Sequence, residues 1–216
     1  MAIRKPTKEA YGELQHAYDF YNRRLFQSQL PNCLITMQRQ RGAYGYFSGN
    51  RWKAARAKTD EIALNPEHFR VGLRETLSTL VHEMCHLWQH HFGKPGRRGY
   101  HNREWAEKML EVGLHPSSTG QSGGKMTGDR MGDYIIRNDR FDVVTRELLA
   151  GGFKITWNDN ATRLRKPAGT SGAGGSATLV TNTRQKYHCS QCGLNAWAKP
   201  NAKLVCGDCQ RKLKPV

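Results

Sequence analysis

The 216-residue sequence has no long apolar run: eighteen consecutive apolar residues, about the length that a membrane-spanning helix needs, occur nowhere. The N-terminal residues MAIRKP are not followed by the apolar stretch of a secretory signal. We therefore expect a cytoplasmic protein that does not associate with a membrane. An apolar content of 38% still allows one core of ordinary size and a small second unit.

Acidic residues are scarce. The chain has 18 Asp and Glu against 34 Lys and Arg, a net charge of +16. The imbalance is steepest in residues 161–216, which hold ten basic residues and one acidic residue, Asp208. Such an excess favours a polyanionic partner, and DNA is the first candidate. An anionic membrane surface is a weaker alternative, because no apolar helical stripe accompanies the basic residues.

Only six cysteines occur, and four of them are paired by spacing, as Cys189-x-x-Cys192 and Cys206-x-x-Cys209 with 13 residues between the pairs. Paired knuckles at this spacing are typical of a four-thiolate zinc site, and a reducing cell interior disfavours two disulfides. We therefore predict a structural zinc ribbon over residues 187–216. The other two cysteines, Cys33 and Cys85, are expected to be buried thiols.

A zinc-peptidase pattern, H-E-x-x-H, occurs in the segment STLVHEMCHLWQHH at residues 78–91. In a helix His86 lies about 40° round from His82 and one turn further along, so both imidazoles can reach one ion. Glu83 flanks the ion without ligating it, which suits a general base that takes a proton from water. The apolar residues of the segment share an arc of about 120° opposite the histidines. They are Leu73, Leu77, Leu80, Val81, Met84, Leu87 and Trp88.

A catalytic zinc site needs a third protein ligand and an open position. His101 follows the Gly-rich turn 93–99 and opens a second amphipathic segment, HNREWAEKMLEVGL. We expect this helix to pack back on the first and to bring His101 to the metal. His115, at the far end of the segment, is the alternative. His90 is about 12 Å along the axis from His82, too far to share the ion, and is expected next to the site or at the surface.

The remaining periodicity predicts an α+β fold in which a small sheet packs on the metal-binding HExxH helix, with the zinc ribbon following at the C-terminus. Residues 8–26, KEAYGELQHAYDFYNRRLF, predict a helix whose stripe of Tyr11, Leu14, Tyr18, Tyr21 and Leu25 faces the core. Short strands are predicted at 33–37, 43–47 and 61–65, with a basic turn at 51–58. An edge strand of this sheet can receive a substrate segment as an added strand, or the sheet can serve only to bury the helix.

The second half of the chain gives weaker signals. Residues 117–128 predict a loop, 133–137 a strand, 139–150 a helix and 153–157 another strand. Residues 167–176, PAGTSGAGGS, have the composition of a flexible linker. We expect a catalytic domain over 1–160 with a core at 10–115 and an extension at 116–160, a basic linker over 161–186, and the ribbon over 187–216.

The order of these segments resembles the SprT-like family of zinc metalloproteases, the group that includes Spartan. The resemblance covers residues 10–115 through NRRLFQSQLPNCLI, AYGYFSGNRW, DEIALNP, HEMCH and HNREW, and the terminal ribbon resembles that of bacterial members. It implies His82, His86 and His101 as zinc ligands and Glu83 as the catalytic residue. It also implies protein substrates bound to DNA, including DNA–protein crosslinks, and hence a role in DNA repair. Asn102 stands where the family typically has Gly, and Trp105 where Phe is common.

A nucleic-acid site is predicted in and next to the ribbon. Basic side chains there would neutralise phosphates, and two aromatic rings would stack on unpaired bases, so single-stranded or distorted DNA should bind better than intact duplex. The residues are Arg184, Lys186, Tyr187, Trp197, Lys199, Lys203, Arg211 and Lys212. Alternatively, the two aromatic residues only cover the small zinc core.

Together these patterns predict a DNA-associated zinc endopeptidase with two zinc ions per chain, one catalytic and one structural. The alternative is a non-catalytic DNA-binding or regulatory module in which the HEMCH zinc is structural. Glu83 argues against this alternative, because a purely structural site has no need of an acid at that position.

Overall fold

The computed structural model describes residues 5–159, 185–199 and 201–215. The chain divides into two compact units, Met1–Arg163 and Leu164–Val216. Among the described residues, no helix combines the length and the apolar character needed to cross a membrane.

The described part of the larger unit contains α1 (Pro6–Leu25), α2 (Leu73–Phe92), α3 (Arg103–Val112) and α4 (Arg140–Ala150). Side-chain caps mark the beginning of two of these helices. The side chain of Asn102 accepts the backbone N–H of Trp105 at the start of α3, and that of Asp139 accepts the backbone N–H of Arg140 at the start of α4. α3 ends at Gly113, which has a φ of 91°. A Cβ at Gly113 would lie 2.6 Å from the backbone nitrogen of Phe141, so only glycine fits this turn.

A three-stranded sheet packs beside α2. It contains β1 (Leu34–Met37), β2 (Gly45–Ala54) and β3 (Ala57–Leu64) in the order β1-β3-β2. β1 runs parallel to β3, and β2 runs antiparallel to it. A short 3-10 helix, Pro66–Val71, leads from β3 to α2. The expected mixture of helix and sheet is therefore confirmed, and β2 forms an edge of this sheet.

The structure corrects the prediction for residues 51–58. They were expected to form a basic turn, but they are the outer ends of β2 and β3, and the turn is confined to Ala55 and Arg56. The pairing shifts register between Ser48 and Trp52 and then continues to the tip of the hairpin. All eight residues are exposed. Because neither face of these strand ends is buried, their sequence lacks the alternation of apolar and polar residues that indicates a strand.

The core of the larger unit takes side chains from the sheet and from all four helices. The apolar arc of α2 is buried as expected from Leu77 to Leu87, while Leu73 and Trp88 are partly buried. On α1 the expected stripe is buried except for Tyr11, which is 38% exposed because it lies near the N-terminal end of the helix. The rest of the stripe is Leu14, Tyr18, Tyr21 and Leu25.

A short hairpin and a C-terminal segment complete the larger unit. β4 (Leu114–Ser117) pairs antiparallel with β5 (Gly132–Ile135). The strand predicted at 153–157 is wrong, because these residues form no ladder. They are instead held against α1: the backbone N–H of Thr156 donates to Glu13 at 2.8 Å, and Trp157 Nε1 donates to Glu9 at 2.8 Å. Hydrogen bonds to carboxylates of α1 thus take the place of the strand pairing that was predicted for these residues.

The smaller unit is a three-stranded sheet with its own core. β6 (Gln185–His188) pairs antiparallel with β7 (Asn195–Ala198) and with β8 (Lys214–Pro215). β6 begins two residues before the predicted boundary at 187. The buried side chains are Tyr187, Cys189, Cys206 and Leu213. The rest of the predicted linker, residues 161–184, lies outside the described residues.

Candidate metal centre

Two histidines of the HEMCH segment lie one turn apart on α2. The ring centroids of His82 and His86 are 5.3 Å apart. The segment is helical because the apolar arc on the opposite face is buried in the core, which fixes the rotation of the helix. His82 is itself 7% exposed and Glu83 5%. His82 and Glu83 are therefore buried and do not lie on an open helix surface.

His101 joins this pair from the residues just before α3. Its backbone exchanges two hydrogen bonds with Gly128, at 2.8 and 3.1 Å, in an isolated bridge. The bridge holds the imidazole 4.8 Å from that of His86 and 5.6 Å from that of His82, measured between ring centroids. The candidate ligand atoms of the three histidines all lie within 4.8 Å of one another.

His115, the alternative third ligand, does not join the cluster of described metal-ligating groups that contains His82. It lies in β4, beyond Gly113, and its ring stacks on Tyr134 at 4.7 Å. The left-handed turn at Gly113 ends the helix before His115. His115 therefore lies outside the helix, although the sequence pattern placed it at the far end of the helical segment.

Hydrogen bonds at Nδ1 prepare two of the imidazoles for a metal. His82 Nδ1 lies 3.1 Å from Asp133 Oδ1, and His101 Nδ1 lies 3.1 Å from the carbonyl oxygen of Gly128. A carboxylate and a carbonyl can only accept here, so Nδ1 donates in both residues and Nε2 keeps its lone pair. This arrangement orients histidine ligands in zinc sites, and the donor set therefore fits zinc.

No sequence pattern indicated a role for Asp133 or Gly128. Asp133 stands 51 residues after His82, on β5, and Gly128 lies in the loop before it. Oδ2 of Asp133 is buried and has no hydrogen-bond partner among the described residues. Neither residue belongs to a recognisable spacing pattern, and only the pairing of β4 with β5 brings this region to α2.

Trp105 forms one wall of the histidine cluster. Its ring lies 4.9 Å from His82, 5.1 Å from His86 and 4.4 Å from His101, between ring centroids, and it is fully buried. The wide indole thus contacts all three imidazoles at once. The preceding turn is held by Asn102, which accepts a hydrogen bond from Gln89 at 2.7 Å and donates one to Lys94 at 2.9 Å.

Burial and neighbouring charge set the protonation of the imidazoles. Burial, together with the nearby His82, lowers the pKa of His86 well below its usual value and that of His101 to about 4. Burial acts in the same direction on His82, but the hydrogen bond to Asp133 and the charge of Glu83 raise its pKa overall. Neutral imidazoles are the form that ligates a metal.

Glu83 lies beside the cluster but is not part of it. Burial raises its pKa to about 7; His82 and the backbone N–H of Phe47 oppose the rise, and Asp133 adds to it. β2 approaches the helix closely at this point. A Cβ on Gly45 would lie 2.9 Å from Thr79 Cγ2 and 3.4 Å from Glu83 Cγ. Glycine at position 45 therefore brings the edge strand against Glu83.

Four cysteines of the smaller unit converge as their spacing predicts. The sulfur atoms of Cys189, Cys192, Cys206 and Cys209 all lie within 4.8 Å of one another, and Cys192 Sγ is 3.5 Å from Cys206 Sγ. Sulfurs bound to one tetrahedral zinc are about 3.8 Å apart. Backbone N–H groups of Cys192 and Gln191 lower the pKa of Cys189 to about 6, which favours the thiolate. The cluster therefore fits a zinc ribbon.

The other two thiols are separate from this cluster. Cys85 is fully buried, as expected, and Cys33 is partly buried.

The predicted nucleic-acid residues of the ribbon divide into two groups. Lys186, Lys199, Lys203, Arg211 and Lys212 are exposed, and Trp197 is 61% exposed. Tyr187 is 2% exposed, and its hydroxyl donates to the Lys199 carbonyl and accepts from the Ala202 N–H, both at 2.9 Å. Its ring offers no free face to a base, so its assignment to base stacking is wrong. Arg184 lies outside the described residues.

Comparison with known proteins gives two matches. The model of the SprT-like family matches residues 14–122, which is 109 of the 216 residues. A Salmonella typhimurium protein described as an uncharacterized protein in the mucB 3' region is 54% identical over 52 residues, covering 24% of this chain and 70% of that protein. No solved structure matches. The family match includes Glu83 and the three clustered histidines, whereas Asp133 and the ribbon lie beyond it.

Proposed function

The chain belongs to the SprT-like family, and on this premise we propose that it is a zinc-dependent endopeptidase. The observation that carries the proposal is the convergence of three histidines beside a buried carboxyl group that takes no part in their cluster. His82, His86 and His101 would hold the ion, and Glu83 would act on water. Three protein ligands leave a fourth position open, which distinguishes catalytic zinc sites from closed structural ones.

Zinc at this site would lower the pKa of a water molecule and polarise the scissile carbonyl. Glu83 would accept the proton of the attacking water and pass it to the leaving amine. Asp133 and the carbonyl of Gly128 would hold the imidazoles of His82 and His101 in the ligating tautomer. Trp105 would keep water away from the inner side of the cluster, because its ring covers all three imidazoles.

We propose that the substrate enters as an added strand along β2. In the part of the chain that the structure describes, this strand is at the edge of its sheet, and Gly45 brings it against α2 beside Glu83. Recognition through backbone groups selects an extended segment and not a particular side chain. Such a site suits many unrelated protein substrates.

DNA-bound proteins, including DNA–protein crosslinks, are the substrates that we propose, which would give the protein a role in DNA repair. The positive charge and the exposure of two groups of side chains support this proposal. The exposed ends of the β2–β3 hairpin carry Arg51, Lys53, Arg56 and Lys58 around Trp52, which is 42% exposed. In the ribbon, five exposed basic residues accompany Trp197. Exposed cations with an interleaved aromatic ring are the combination that binds single-stranded nucleic acid.

The decisive experiment compares proteolysis of casein and of a DNA-binding protein by the zinc-loaded chain, with and without single-stranded DNA. Glu83→Gln should abolish cleavage and leave zinc content and thermal stability near wild type, because the amide cannot accept a proton. Glu107→Gln, an exposed residue of α3, is the matched control and should cleave normally. Cleavage by Glu83→Gln at the wild-type rate would exclude the general-base role.

The second candidate function is a non-catalytic DNA-binding or regulatory module with a structural HEMCH zinc. The same assay separates it from the protease. A wild-type chain that carries zinc and binds DNA, but cleaves neither substrate under any of these conditions, would favour the module.

A further inference from the structure

A second group of metal-ligating side chains lies one turn beyond the histidine cluster, at the C-terminal end of α2. His91 Nε2 is 2.6 Å from Asp60 Oδ2, and His90 Nε2 is 4.0 Å from Asp60 Oδ1. The candidate ligand atoms of the three residues lie within 4.8 Å of one another. None of the three belongs to the histidine cluster, and the proposed protease mechanism does not use them.

Asp60 is held in place by the irregular part of β2. It is 4% exposed, and its Oδ1 accepts the backbone N–H of Asn50 at 2.6 Å. Asn50 has a φ of 53° and lies within the register shift between Ser48 and Trp52. Bulges disrupt the ladder locally and leave a residue unpaired, which frees the Asn50 N–H to bind the carboxylate. The carboxylate therefore has a fixed position and points toward the end of α2.

His90 is fitted to the same bulge. A Cβ on Gly49 would lie 2.7 Å from the His90 ring, so glycine at this position leaves room for the ring beside the strand. The Phe47 ring lies 5.5 Å away on the strand, between ring centroids. The side-chain amide nitrogen of Asn50 lies 3.4 Å from His90 Nε2. That nitrogen can only donate, so His90 Nε2 keeps its lone pair, which is the form that ligates a metal.

The distances show how the groups would have to adjust to take an ion. Two atoms bound tetrahedrally to one zinc ion at about 2.1 Å each lie about 3.4 Å apart. The separation of 4.0 Å between His90 Nε2 and Asp60 Oδ1 is longer than this, and the 2.6 Å between His91 Nε2 and Asp60 Oδ2 is a hydrogen bond in which the imidazole donates, so the ion would displace the Nε2 proton of His91. The two imidazoles are 33% and 35% exposed, so they can adjust by small rotations and leave coordination positions to water.

We propose that Asp60, His90 and His91 form a further metal site for a divalent transition ion with nitrogen and oxygen ligands, such as Zn²⁺. His86 and His90 are four residues apart, about 6 Å along the helix axis, so the site is separate from the histidine cluster. The ion would tie the β2–β3 hairpin to the end of α2. It binds more weakly than the two predicted zinc ions, because two of its ligands are open to solvent.

This inference does not rest on the proposed function, and it is tested without an activity assay. The full chain is dialysed until it holds only tightly bound zinc, and Zn²⁺ is then titrated by calorimetry. We expect one further equivalent to bind, with affinity reduced about tenfold or more in Asp60→Asn and in His91→Ala, since each loses a ligand. His16→Ala, which removes an exposed histidine of α1, is the matched control and should bind as wild type.

Asp60→Asn keeps an acceptor for the Asn50 N–H, and its melting temperature without added zinc should stay near wild type. Should that variant fail to fold, His90→Ala and His91→Ala carry the test, because both side chains are partly exposed. Added Zn²⁺ should also slow amide exchange at the hairpin in wild type but not in these variants. The proposal is overturned if wild type binds no further zinc, or if all variants bind it as tightly as wild type.

Discussion

Asp133 Oδ1 lies 3.1 Å from Nδ1 of His82, although the two residues are 51 positions apart and on different elements. Both side chains are about nine-tenths buried. The contact makes β5 part of the histidine cluster, because it fixes which nitrogen of His82 faces the other imidazoles. A loop and a short strand outside the HEMCH helix therefore decide how well the helix can hold an ion.

Asp133→Ala should lower zinc affinity at the histidine cluster by about 10- to 100-fold, as loss of a carboxylate partner of a ligating histidine does. Competition with a chromophoric chelator measures the change. The matched control is Asp129→Asn, which alters an exposed ion pair with Arg97. An affinity that is unchanged in Asp133→Ala would mean that the contact does not orient the ligand.

His101→Ala should reduce the tightly bound zinc from two ions per chain to one, because two histidines alone hold zinc poorly. His115→Ala should keep both ions, since the ring of His115 stacks on Tyr134 outside the cluster. Metal analysis after dialysis distinguishes the two variants. The reverse result would transfer the third-ligand role to His115.

Trp105→Ala should lower the free energy of unfolding by about 3–5 kcal/mol, because it empties a fully buried site in the core. Trp105→Phe should cost less, since a phenyl ring fills most of the space. Val143→Ala, an exposed position on α4, serves as the control. Urea unfolding gives the three values, and equal losses for Trp105→Ala and Val143→Ala would contradict the packing described for Trp105.

Trp197→Ala should weaken binding of single-stranded DNA by about 1–3 kcal/mol and change duplex binding little, because only unpaired bases can stack on the exposed indole. Fluorescence anisotropy at one fixed salt concentration measures both affinities. Val205→Ala removes another exposed apolar side chain of the ribbon and is the control. If Trp197→Ala weakens both forms of DNA equally, the indole does not act by stacking.

A thiol reagent should distinguish the two classes of cysteine. In the zinc-loaded native chain no cysteine should react rapidly. A chelator should release the four ribbon thiols and leave Cys33 and Cys85 silent until denaturant is added. Burial is the reason: it raises the pKa of Cys33 to about 12 and that of Cys85 well above its usual value. Rapid reaction of either thiol in the native chain would contradict this.

Features that depend on local spacing could be read from the amino-acid sequence alone. One helical turn separates His82 from His86, and the apolar arc of α2 fixes which way they face. The two Cys-x-x-Cys pairs converge because each knuckle is a local turn. His101 could be predicted as the third ligand because it follows a turn that reverses the chain. Metal binding by these groups stays a prediction, although their convergence was readable in advance.

Contacts that join distant segments could not be read from the sequence, because they depend on how the chain folds. Asp133 reaches His82 through the pairing of β5 with β4, and Asp60 reaches His90 and His91 through a bulge in β2. Tyr187 is buried by its own small sheet, and residues 153–157 bind the carboxylates of α1 in place of a strand. The sequence around a lone carboxylate or aromatic residue does not indicate whether its side chain is solvated or buried. The reason is that its partners come from elsewhere in the chain.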